Sequence, residues 1–179
     1  IFLENSTTQE KIPSWMVFIL LGQLCFLTLL ITVYPKKFRL IFHAMISSAA
    51  ARNVQRETSS MTRMEDFLLY LFFIINIGVF IFLIPQIMNQ NFQFNELNHL
   101  ILCFCGLFTG LLLKHLQLGS LSVFLPFRQE IAFHNFLISN FNKVVGVVIL
   151  PFLFLLIFLE ESQTTMILYF VFGLLSLIY

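Results

Sequence analysis

The sequence predicts an all-α fold: a polytopic membrane bundle of about five transmembrane helices, with interfacial helices on the cytoplasmic side. Hydrophobic residues make up 59% of the 179 residues and charged residues only 11%, whereas a soluble domain carries about 25% charged residues. The apolar residues also form long runs between the charges. An aqueous monomer would expose these runs as patches well above the roughly 300–600 Å² that soluble proteins tolerate.

Composition also excludes several functions. A net charge of +1 argues against a nucleic-acid partner, because phosphate binding requires clustered Lys and Arg in excess. Cys25, Cys103 and Cys105 lie inside apolar runs, so we expect no disulfide framework, no metal and no other cofactor. Ile1 is not a natural start and Tyr179 ends inside an apolar run, so we expect the natural chain to continue at both ends.

The charged residues divide the chain into apolar segments, which we predict to be the membrane spans. All of them belong to one helical membrane domain over residues 1–179. A helix needs about 20 apolar residues to cross a hydrocarbon core of about 30 Å. Trp15 and Tyr34 flank the first span at the level that aromatic rings prefer. Nothing alternates like the strands of a closed barrel. The predicted spans are 15–34, 67–87, 97–113, 144–159 and 166–179.

The distribution of basic residues predicts the orientation. Nine of the ten Lys and Arg residues lie in two connections, 35–66 and 114–143, and the tenth, Lys11, precedes the first span. Basic loops stay in the cytoplasm. We therefore expect the N-terminus outside and both basic loops inside, in a bacterial inner membrane.

The first basic loop contains a predicted amphipathic helix. Its apolar residues recur at helical spacing, which is typical of a helix that lies along a membrane surface. We expect it to rest on the inner leaflet mainly as a positively charged anchor. The apolar positions are Phe38, Ile41, Phe42, Met45, Ile46 and Ala49.

The second basic loop is expected to contain a separate helix. Gly119, Ser120 and Pro126 are predicted to break any helix after the third span, and an aromatic, charged segment at 127–137 then suggests a surface-lying or half-buried helix before the fourth span. Glu130 and His134 lie four residues apart and so share a helix face. An ordinary local hydrogen bond explains such a pair better than an acid–base pair does.

The spans contain no Asp, Glu or Arg, although such residues usually mark function at membrane depth. Gly106 and Gly110 form a small-xxx-small step that lets another helix approach closely. Pro151, five residues after Gly146, is predicted to kink the fourth span for packing or for gating. His99 and Cys103 share a face, but two ligands are too few for a metal site.

One run resembles a known family signature. The residues Asn142-Lys143-Val144, Gly146 and Pro151 form an Asn-Lys-Val-x-Gly-x-x-x-x-Pro pattern. Together with Pro35-Lys36-Lys37-Phe38 and the Glu65-Asp66 step, this pattern resembles an uncharacterised integral-membrane family of Bacteroidota, catalogued as a domain of unknown function. The resemblance implies an inner-membrane protein with several helices and supplies no catalytic residues.

Three functions remain open at this point. The first is a non-enzymatic subunit or scaffold of a cell-envelope assembly, of secretion or motility type, that packs with a protein partner or with itself in the bilayer. The second is a small carrier or lipid-handling protein with a site at the cytoplasmic face. The third is an interfacial enzyme that uses Glu130 or His134 as a general base. The candidate ligand-binding residues are Lys114, His115, Arg128, Glu130, His134, Asn142 and Lys143.

Overall fold

The computed structural model describes residues 13–46, 51–52, 54, 63–88, 96–124, 127–159 and 161–178. Every regular element within these ranges is a helix, which confirms the predicted all-helical architecture. There are six described helices: α1 Trp15–Val33, α2 Pro35–Ile46, α3 Arg63–Ile87, α4 Glu96–Phe124, α5 Arg128–Phe158 and α6 Glu161–Ile178.

Four of these helices contain stretches long and apolar enough to cross a membrane. The stretches are Trp15–Val33, Met64–Ile87, Leu97–Lys114 and Gln129–Phe158. The apolar part of α6, Gln163–Ser176, is shorter. The described helices therefore provide four candidate spans rather than the five that the sequence predicts. The reason is the polar start of α6, which reads Glu-Ser-Gln-Thr-Thr.

Helix α3 occupies the centre of the bundle, with α1 antiparallel to it. The rings of Trp15 and Phe82 lie 5.9 Å apart, and those of Phe26 and Phe72 also 5.9 Å apart. The start of α1 thus lies beside the end of α3, and the two helices run in opposite directions. We call the end of the bundle where α1 ends and α3 begins the basic end.

Helix α4 runs antiparallel to α3 on another side. The rings of Phe82 and His99 lie 5.3 Å apart, and the ring of Phe104 lies against Gly78. Helix α6 packs against α3 and α5. Its Phe172 ring is 5.7 Å from Phe80 on α3.

Helix α5 runs parallel to α3 and packs closely against it. A Cβ atom placed on Gly146 would lie 2.7 Å from the Cα of Phe73, well inside any van der Waals contact. The two backbones meet here because position 146 carries no side chain. Fully buried side chains of both helices, such as Phe82 and Leu153, continue the contact along the bundle.

The predicted surface-lying or half-buried helix before the fourth span is present and is half-buried, but no break separates it from that span. Helix α4 continues through Gly119 and Ser120 to Phe124, and α5 then runs from Arg128 to Phe158 without a break. The Ser120 hydroxyl donates to the carbonyl oxygens of its own helix, at 3.0 Å from Leu116, and one helical glycine costs only about 1 kcal/mol. Pro126 lies outside the described residues.

Helix α2 is amphipathic, as its spacing predicts, and part of its apolar face packs against other helices of the protein. Ile41 joins the cluster formed with Leu69 and Val144, and Ala44 joins a second cluster against the first half of α5, at Phe133. The reason is the length of α5, which offers an apolar surface beyond the basic end. Ala49 lies outside the described residues, as does the side chain of Ile46.

The two basic connections meet in space. The guanidinium of Arg52 lies 5.4 Å from the centre of the Phe133 ring, a cation–π distance. This contact joins residues of 35–66 to residues of 114–143 at one end of the bundle.

The close approach of α3 and α5 generates a test at Gly146. We expect Gly146→Ala to lower the free energy of unfolding by about 1–3 kcal/mol, because the added methyl group meets backbone atoms that cannot rotate away. Gly173→Ala is the matched control, since nothing lies within 4 Å of its added Cβ and alanine favours a helix by about 1 kcal/mol. Unfolding of the purified protein, followed by circular dichroism, measures both. Equal stability of the two variants would contradict the close packing.

Candidate functional site

Three charged side chains from three helices meet at the basic end. Lys37 on α2 donates to Oδ2 of Asp66 on α3 at 3.0 Å, and Lys143 on α5 donates to Oδ1 of the same carboxylate at 2.6 Å. Both contacts are ion pairs. We call these residues the Lys37–Asp66–Lys143 cluster.

The local sequence explains how each group reaches the cluster. Pro35 begins α2, a position that proline favours, and places Lys37 in the first turn. Asp66 lies in the first turn of α3, where the helix dipole stabilises a negative charge. Lys143 lies one turn before Gly146, so the close contact between α3 and α5 carries it towards Asp66.

The cluster is largely shielded from solvent and is not neutral. The side-chain exposures are 9% for Lys37 and 6% for Lys143, against 23% for Asp66. Two ammonium groups share one carboxylate, so the cluster carries a net charge of +1. Its stability depends on Asp66, because loss of this carboxylate would remove the counter-charge of Lys143, whose side chain is almost fully buried.

A polar layer surrounds the cluster. Tyr70, one turn after Asp66, is hydrogen-bonded to the side chain of Asn142, which is itself almost fully buried. Asn140 is also buried, and its amide nitrogen has no hydrogen-bond partner among the described residues. Asn142 and Lys143 of α5 thus lie inside the protein here and contact α3.

Of the seven predicted ligand-binding residues, the five whose side chains the structure describes do not lie together at one site. Asn142 and Lys143 are buried at the cluster, whereas Glu130 and His134 are exposed on the first half of α5. Lys114 is half-buried on α4. His115 lies in α4 and Arg128 begins α5, but the described side chains include neither.

Sequence reasoning missed Lys37 and Asp66 as partners of Lys143. It assigned Lys37 to an anchoring helix and Asp66 to the start of a span, and otherwise used both only in the family resemblance. The sequence did contain a signal. Asp66 is an acidic residue at the start of a span, and six basic residues precede it in the same connection. Such a carboxylate is positioned to pair with a neighbouring cation, but the sequence does not tell which one.

The predicted structural residues lie in contrasting surroundings. Gly146 lies in the closest helix contact, whereas Gly106 and Gly110 have no neighbour within 4 Å of an added Cβ. Pro151 is exposed inside α5. Among the described residues, no group of three His, Cys, Asp or Glu side chains could hold a metal ion.

Over the residues that the structure describes, these features define the class of protein: an all-helical bundle with four segments apolar enough to cross a membrane and a largely shielded ion-pair cluster at one end. Residues 16–179 match the family described as Domain of unknown function (DUF4271), and the chain belongs to this family. Comparisons with curated proteins and with solved structures gave no match.

The shared carboxylate generates the second test. We expect Asp66→Asn to destabilise the protein by about 3 kcal/mol, because the buried ammonium group of Lys143 loses the carboxylate that it pairs with. Glu65→Gln removes the same charge one position earlier and is expected to change stability by less than about 0.5 kcal/mol. Thermal unfolding at low and high salt measures both. Similar effects of the two substitutions would show that the cluster does not stabilise the fold.

Proposed function

We propose that the protein is a non-enzymatic subunit or scaffold of an assembly in the cell envelope, of secretion or motility type. It would be a multi-pass protein of the inner membrane of Bacteroidota, with its N-terminus outside. The surface of α4 is the observation that supports a partner. Only 6% of the stretch Leu97–Lys114 is buried inside the protein, against 50% for Met64–Ile87 of α3.

The exposed part of α4 carries a stripe of small residues. Cys105, Gly106, Thr109 and Gly110 are all exposed, and each glycine has open space where its side chain would be. The Thr109 hydroxyl donates to the Cys105 carbonyl at 2.8 Å, so it is satisfied within the helix. The stripe therefore presents a shallow surface between larger apolar residues such as Phe108, which is 58% exposed.

A helical partner accounts for this stripe better than lipid does. Each glycine destabilises a helix by about 1 kcal/mol relative to alanine, and contact with lipid chains does not offset this loss. Contact with a second transmembrane helix can offset it, because small residues let two backbones approach closely. The proposed partner is a transmembrane helix of another subunit or of a second copy of this chain.

The charges support the proposed orientation. Nine of the ten Lys and Arg residues lie in the connections 35–66 and 114–143, and Arg52 contacts Phe133 across them. Placing the basic end in the cytoplasm satisfies the positive-inside rule. The apolar stretches then extend from the cluster towards the other face.

The second candidate is a carrier or lipid-handling protein with a cytoplasmic-face site. The burial of Asn142 and Lys143 near the basic end favours it over an interfacial enzyme. The enzyme would need Glu130 or His134 to have an orienting partner and a cavity, whereas both side chains are exposed.

Bulky substitutions on α4 test the proposed function. We expect Gly106→Leu together with Gly110→Leu to abolish the stoichiometric partner or the homo-oligomer, because the added side chains separate the two backbones. Gly22→Leu on α1 is the control, since it also fills open space on an exposed helix face. Pull-down in mild detergent, with native mass spectrometry and a thermal unfolding curve, measures the effect.

The outcomes separate the candidates. Loss of the partner in the α4 variant but not in the Gly22→Leu control, at unchanged stability, supports the proposed subunit function. A wild-type protein that is monomeric and lacks a partner would contradict it. Retention of the partner by the α4 variant would contradict the proposed contact surface.

A further inference from the structure

We draw no further inference here: the strongest candidate, the buried amide side chains of Gln23 on α1 and Asn76 on α3 inside the bundle, carries nothing, because the amide atoms that have no hydrogen-bond partner among the described residues are closed off by their neighbours and nothing in the structure shows space for a ligand beside them.

Discussion

The pairing of one carboxylate with two ammonium groups is the interaction on which the rest of the structure depends. Asp66 begins the central helix α3 and holds Lys37 of α2 and Lys143 of α5. It thereby fixes the level at which three helices meet. A partly buried charge tolerates little displacement from its partner, so the register of α5 against α3 follows from this contact. The cluster also separates the apolar stretches from the extension of α5 that carries Phe133.

This register brings Gly146 against the backbone of Phe73, so that α3 and α5 form one closely packed pair. Helix α4 packs against α3 and α5 as well, but only 6% of its stretch Leu97–Lys114 is buried and its glycine stripe is exposed. The described part of the bundle therefore has a closely packed centre and exposed apolar surfaces on α1, α4 and α6. The surface of α4 is the one on which the proposed subunit would receive a partner.

The sequence predicts the helical architecture well, because long apolar runs in a chain with 11% charged residues permit little else. It predicts less well where local rules compete with packing. Gly119 and Ser120 carry helix-breaking signals, yet they continue α4, since one glycine and a self-satisfied hydroxyl cost little. Asp66 marks the limit of local reasoning. Its partners are 29 and 77 residues away in the chain, and spacing rules operate over one or two turns.

A double-mutant cycle between Asp66 and Lys143 tests the central claim most directly. The cycle compares the unfolding free energies of the wild type, Asp66→Asn, Lys143→Met and the double variant. If the shared carboxylate organises the bundle, removing Lys143 relieves much of the cost of losing Asp66, and the coupling energy lies in the range of about 1–3 kcal/mol. Additive effects, with a coupling energy near zero, would contradict the account.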